Sequence, residues 1–337
     1  MHGWIILDKP LRLGSTQAVS AVKRALRQGG YGKAKVGHGG TLDPLATGVL
    51  PVAIGEATKL AGRMLDSDKI YEFTIGFGTQ TSTLDAEGEV VASSDARPTL
   101  AAIEAILPRF TGPIEQVPPA YSALKVDGER AYDLARAGEE VVLAKRAVTV
   151  LSLNSSPARG GGPARSDGGG GPAPSHEREE GPLHHSPSAS GPPPRAGEEL
   201  QEITLTAHVS KGTYIRSLAR DIALALGTVG HVTYLRRVKA GPFDLSHAIS
   251  LDKLAESAKR HDLEQILLPL RAGLDDIPAL SLDPDQAGAL RQGRVLAGIA
   301  EDAQSKGGLH FAMLGETPVA LVEVESGEAR VVRGFNL

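Results

Sequence analysis

The stretch Gly37-His38-Gly39-Gly40-Thr41-Leu42-Asp43-Pro44-Leu45-Ala46-Thr47-Gly48 sets one carboxylate in a loop punctuated by glycine and closed by proline. Pro44 disfavours the helical region for the residue before it, which biases Asp43 toward an extended conformation. Gly37, Gly39, Gly40 and Gly48 let neighbouring backbone come close to a ligand. The dipeptide Asp43-Pro44 also reads as a helix start, with the aspartate as N-cap and the proline in the first helical position. A carboxylate held in such a loop is placed to act on a bound ring.

Outward from this loop, Trp4 to Asp8 reads as a short strand. Ser15 reads as the cap of a helix whose Ala18, Val19, Val22, Ala25 and Leu26 form one apolar stripe. On the other side, Ile70 to Phe77 alternates with Tyr71, Phe73, Ile75 and Phe77 on one face, so Tyr71 points inward or into a cleft. A helix is predicted over 100–110, a Pro-rich loop over 117–125, a second helix over 129–137 and a strand over 147–153. Residues 155–199 hold ten Gly and nine Pro with Leu183 as the one large aliphatic residue. That composition cannot bury enough surface to offset its ordering entropy, and the segment is predicted to be a disordered, passive insertion at a hairpin tip. The strand pattern resumes at Glu202 to Val209. Thr213 to Leu226 follows as a helix opened by Thr213 and closed by Gly227, then His231 to Val238 as a strand. Strand patterns at 309–314, 318–325 and 330–332, with a helical piece at 284–292, predict a small β-rich terminal domain.

At 337 residues the chain can bury ample core without covalent staples, and its lack of cysteine excludes disulfide frameworks, thiolate zinc sites and cysteine nucleophiles. The ten histidines do not cluster at metal-ligand spacing, so no metal is expected. The N-terminal MHGWIILDKP lacks the pattern of a secretory leader and no run of about 18 apolar residues occurs, which predicts a cytoplasmic protein without membrane association. A formal charge of -4 argues against a nucleic-acid partner on its face. Its distribution does not: residues 1–71 carry ten Lys and Arg against five acids, and residues 208–242 carry six against Asp221. A basic face can therefore coexist with an acidic whole, although basic runs are often only solvated helix faces.

The longer string GHGGTLDPLATGVLPVAIGEATK, residues 37–59, resembles the signature of the TruB family, the bacterial tRNA pseudouridine synthases that modify the T-arm uridine at position 55. The element Ser210-Lys211-Gly212-Thr213-Tyr214-Ile215-Arg216 resembles a second family motif. The resemblance implies an α+β pseudouridine synthase fold: a central mixed or antiparallel sheet with flanking helices over residues 1–274, and a small PUA-like RNA-binding domain over 275–337. It implies a reaction without external cofactor in which Asp43 is the catalytic residue, paired with Arg216. Tyr71 matches the family tyrosine that stacks on the target base and is a candidate to accept the C5 proton. His38 matches a histidine that helps occupy the space of the flipped base, Tyr214 a residue lining the uridine pocket, and Leu235 a position whose backbone contacts substrate. Arg236 and Arg237 are candidate phosphate contacts. The expected partner is the T arm of tRNA, bound by a monomer. Gly39 stands where many relatives have threonine, and Ser82 where they often have aspartate.

Taken singly, each of these residues has a plainer reading: a surface arginine, a core tyrosine, a stray loop histidine, a core leucine. Arg216 departs from its plainer reading, because the first turn of a helix favours anions, so an arginine there suggests an acidic partner. Two other functions compete. A nucleotide-binding glycine loop is disfavoured because GxGxxG fails at Leu42 and no GxxxxGK[ST] occurs. An RNA-folding chaperone would use the same basic face without chemistry, and the presence of Asp43, Tyr71 and Arg216 together disfavours it.

Overall fold

Alternation along the first strand decides how the layers assemble. Ile5 and Leu7 point to one face of the sheet and Trp4 and Ile6 to the other, and all four are buried, so the sheet is covered on both sides. The computed structural model describes residues 1–122, 124–126, 128–139, 141–155, 197–274, 277–299 and 308–337. Its central sheet is built on seven strands: β1 (Gly3–Lys9), β3 (Ala46–Ile54), β8 (Gly230–Ala240), β4 (Lys69–Phe77), β7 (Glu202–Val209), β6 (Arg146–Ser155) and β5 (Gly112–Gln116), hydrogen-bonded in that order. The short β2 (Val36–His38) pairs with β3, and Phe243–Asp244 pairs with β8. Pairing is antiparallel except between β3 and β8, where Leu235 lies opposite Ala46 in parallel register, so the sheet is mixed.

Helices α1 (Ser15–Gln28), α5 (Ile215–Ala225) and α6 (Leu251–Arg260) belong to the core on the Ile5 face, through Val22, Leu26, Leu218, Ile222, Leu254 and Ala258. On the Trp4 face, Phe311, Met313 and Leu321 of a five-stranded C-terminal sheet, with Phe335 just after its last strand, share one core with Trp4, Ile6, Val49 and Phe243. Each such large side chain contributes about 1.5–3 kcal/mol relative to exposure. Lys59 Nζ donates to Gly334 O at 2.8 Å and Asn336 N to Glu56 Oε2 at 2.8 Å, which fastens residues 334–336 to the 3-10 turn Gly55–Leu60 that follows β3.

Several local expectations are corrected. Asp43 caps no helix; after a turn closed by Ala46 N donating to Asp43 O at 3.0 Å, the chain enters β3. Gly14, not Ser15, is the N-cap of α1, and Gln17 Oε1 accepts from Gly14 N at 2.8 Å. Thr213 does not cap α5; Tyr214 is the N-cap and the Thr213 hydroxyl donates to Ser210 O. The helix predicted over 100–110 is α-helical only to Ile106 and continues as a 3-10 turn at Leu107–Phe110, where Pro108 supplies no N–H for an α-type bond. The helix predicted over 129–137 is confined to Ala131–Arg136, because Glu129–Arg130 pairs with Lys125–Val126 as a short hairpin. Strands β6 and β7 pair antiparallel, with Ser155 opposite Leu205. The disorder expected for 155–199 concerns 156–196, which lie outside the described residues.

Candidate active site

The loop that carries Asp43 is pinned from three sides. From α1, the Ser15 hydroxyl accepts from Leu42 N at 2.9 Å and donates to Leu42 O at 3.0 Å, a buried two-way tie. From β1, the buried Lys9 ammonium donates to Leu13 O at 2.7 Å and Pro44 O at 3.3 Å. From β8, the buried Arg237 guanidinium donates to Gly40 O at 3.1 Å, Thr41 O at 3.2 Å and Val49 O at 2.8 Å. Gly48 permits this approach: its φ is +98°, and a Cβ there would lie 2.2 Å from Arg237 O. Arg237 therefore braces the loop rather than reaching a phosphate, and Arg236 is engaged with Asp8 Oδ2 at 2.7 Å. At Gly39 a Cβ would meet Met64 Cβ at 2.5 Å, so Met64 occupies that space.

Arg216 in the first turn of α5 meets two carboxylates. Its Nη2 lies 2.8 Å from Asp43 Oδ2 and its Nη1 3.3 Å from Asp85 Oδ2. The same two nitrogens donate to Tyr121 O at 3.1 Å and Thr83 O at 2.9 Å. Exposure separates the two acids: the Asp85 side chain is 9% exposed and that of Asp43 is 42% exposed. Asp43 alone of the pair is open to a ligand, and it is less buried than the sequence reading supposed. Asp85 is held by the Thr83 hydroxyl and Glu87 N, and its role as second anchor of the guanidinium went unnoticed in the sequence. A further arginine contact would show only as another acid near a glycine-rich turn, a common surface pattern.

Asp43 and Arg216 open on a cavity of about 330 Å³ whose lining includes Tyr71, Tyr214, Leu235 and Lys69. Tyr71, Tyr214 and Leu235 are thus brought to Asp43. His38 is not among the lining residues; it sits half-buried at the end of β2 with Nδ1 accepting from Gly40 N at 3.4 Å. Tyr214 is fixed through its backbone, with Gln116 Oε1 accepting from its N at 3.0 Å and Gln116 Nε2 donating to its O at 3.2 Å. Gln116 is buried in β5, a strand that the sequence reading left unassigned between the helix over 100–110 and the loop over 117–125.

Burial and neighbouring charges shift several groups at this end of the sheet. Burial pushes Lys9 down to about 8, against the attraction of Asp43 and with the repulsion of Arg237. Burial likewise pushes Lys69 down to about 8. His38 is lowered by burial and then by Arg237, which favours its neutral form. Glu87 is raised by burial and then by the neighbouring Asp85 and Asp43. Among the described residues no group of three or more His, Asp or Glu is arranged to hold a metal ion, and no helix is long and apolar enough to cross a membrane. The arrangement offers a solvent-reachable carboxylate locked against a guanidinium, beside two aromatic rings and a buried amine.

Residues 27–159 match the family model described as TruB family pseudouridylate synthase (N terminal domain), and residues 216–275 match tRNA pseudouridylate synthase B C-terminal domain. A relative from Novosphingobium aromaticivorans named tRNA pseudouridine synthase B is 59% identical, with the alignment covering 100% of this chain and 98% of that one. One of the same name from Zymomonas mobilis subsp. mobilis is 53% identical, covering 100% and 96%. Among solved structures, an H/ACA RNP bound to a substrate RNA containing 2′-deoxyuridine matches with a TM-score of 0.66 at 21% identity, over 99% of this chain and 85% of that chain, which shows a shared fold. With a first-sheet motif, a carboxylate–guanidinium pair and full-length relatives all in agreement, the chain belongs to the TruB family of pseudouridylate synthases.

Proposed function

We propose that this chain isomerises uridine to pseudouridine in tRNA, at the T-arm uridine of position 55. It does so as a cytoplasmic monomer, with residues 1–274 as the catalytic unit and 275–337 as a PUA-like RNA-binding unit. The observation that carries the reading is the 2.8 Å contact between the open Asp43 carboxylate and the buried Arg216, at the mouth of a cavity lined by Tyr71 and Tyr214.

The reaction breaks the bond from ribose C1′ to N1 and makes one from C1′ to C5, so the base must detach, turn and be recaptured. A base stacked within RNA is first extruded, at a cost of a few kcal/mol, and stacking on an aromatic ring returns about 1–3 kcal/mol. Tyr71 is the stacking platform, Tyr214 the opposite wall, and the backbone at Leu235 the edge contact. His38, beside the cavity, fills the space the base leaves. Asp43 acts on C6 of the ring or on the ribose, and in either route its contact with Arg216 keeps it aimed. The pinned loop fixes the carboxylate before substrate arrives, which lowers the ordering cost of the reactive geometry.

The test is incubation of unmodified tRNA transcript with the purified protein, followed by mapping of pseudouridine at nucleotide resolution. The expected product is a single pseudouridine in the T loop. Modification confined to another arm, or none, overturns the assignment of substrate.

A further inference from the structure

We infer that Gln116 is a positioning residue for the isomerisation: its side-chain amide sets the first turn of α5 so that Arg216 meets Asp43. This deepens the reading above and rests on it.

Apolar packing fixes where α5 lies but not how its first turn is set. Leu218 and Ile222 bury the helix against the Ile5 face of the sheet, and such contacts are non-directional. The turn does not hold itself either. Tyr214, its N-cap, makes no side-chain capping bond, and no acidic residue stands in the first turn. Arg216 follows two residues later, so any tilt or slip of this turn moves the guanidinium off the carboxylate that it contacts at 2.8 Å.

The directional bonds come from the outermost strand of the sheet. Gln116 ends β5, opposite Arg146 of β6, and is buried. Its Oε1 accepts from Tyr214 N at 3.0 Å while its Nε2 donates to Tyr214 O at 3.2 Å. An amide carries acceptor and donor side by side, so one side chain engages a backbone N–H and its C=O together, as a paired strand would. An apolar side chain of the same length offers neither bond, and asparagine is one methylene shorter. The residues after Gln116 extend the grip. Val117 O accepts from Ser217 Oγ at 2.8 Å and from Arg220 Nη2 at 3.1 Å, and Tyr121 O accepts from Arg216 Nη2 at 3.1 Å. Between these points stand Pro118 and Pro119, whose rings lock φ. Residues 116–121 therefore form a stiff arm that holds the backbone at Tyr214 and the guanidinium of Arg216 at once, and Gln116 is where that arm joins the sheet. Ser15 does the same for the Asp43 loop, so each half of the ion pair is anchored before substrate arrives.

The experiment is single-turnover conversion of tRNA at rising enzyme concentration, with wild type, Gln116→Met, Gln116→Asn, Arg216→Lys and the double variant of Gln116→Met with Arg216→Lys. Both Gln116 variants should lower the plateau rate roughly 10–10²-fold, the effect of a misplacement of about 1 Å, and leave the half-saturating enzyme concentration near wild type. A merely structural role gives the reverse: an unfolded fraction raises the half-saturating concentration and leaves the plateau rate unchanged. Lysine cannot reproduce the aimed contact of Arg216, so in the Arg216→Lys background Gln116→Met should cost less than about threefold. The inference is overturned by a plateau rate within about twofold of wild type in either Gln116 variant, or by a double variant in which the two losses multiply in full. If wild type itself made no pseudouridine, the proposed function would fail instead, independently of Gln116.

Discussion

Replacing Arg216 by methionine strips two carboxylates of one partner, and the structure says which of them suffers. Asp43 is 42% exposed, so water screens most of its loss. Asp85 is 9% exposed and keeps only the Thr83 hydroxyl and Glu87 N as neutral donors. At the 3.3 Å separation and an effective dielectric of about 20, the attraction removed is roughly 5 kcal/mol. Breaking a buried pair by removing one partner costs about 3–5 kcal/mol, the range expected here, to which the orphaned Thr83 and Tyr121 carbonyls add a little. Urea unfolding at pH 7 should show that loss for Arg216→Met. Arg216→Lys should recover less than half of it, because a point charge cannot span both carboxylates and both carbonyls. The double variant Arg216→Met with Asp85→Asn should be more stable than Arg216→Met alone, since it no longer buries a lone charge. An Arg216→Met protein within about 1 kcal/mol of wild type, or a double variant no better than the single one, would refute the view that this guanidinium is the electrostatic centre of the site.

Ser15→Ala should cost about 1–3 kcal/mol by orphaning the buried Leu42 N–H and C=O, and should lower kcat more than it changes KM, because it loosens the Asp43 loop and not the RNA surface; steady-state kinetics with tRNA checks this. Lys9 and Lys69 lose protons near 8 when folded and near 10.5 when unfolded, so between those values the unfolded chain binds more protons and stability rises with pH, by up to about 3 kcal/mol for each lysine. Urea midpoints at pH 7.5 and 9.5 should therefore climb more in wild type than in Lys69→Met; equal climbs would contradict the buried charge.

The pattern of the sequence disclosed those strands of the first sheet that alternate or run apolar between clear turns, as in Trp4 to Asp8 and Ile70 to Phe77, but not β3, which follows the glycine-rich loop directly, nor β5. It disclosed helix ends poorly. Ser15 and Thr213 have the chemistry of caps, yet their hydroxyls are used otherwise, one in a long-range tie to Leu42 and one in a local turn back to Ser210. Helix α6 escaped notice although Ser250 caps it and Leu254 and Ala258 form a short stripe; both signals are individually common. At the site, the pairing of Asp43 with Arg216 was implied by the resemblance of their two motifs, and an arginine in the first turn of a helix added the expectation of an acidic partner. The bracing arginine, Arg237, was misread as a phosphate contact because a lysine- or arginine-rich strand looks the same whether its side chains face solvent or thread beneath a loop. Asp85, Gln116 and Lys9 were invisible for the same reason: what they do depends on partners 35 to more than 100 residues away.

The most direct test of the account is single-turnover conversion of tRNA by Asp43→Asn, with tRNA binding measured on the same preparation. The amide keeps the shape of the loop and removes the charge. The account predicts pseudouridine formation at background level with binding close to wild type, since phosphate contacts carry affinity. Conversion at the wild-type rate would contradict it.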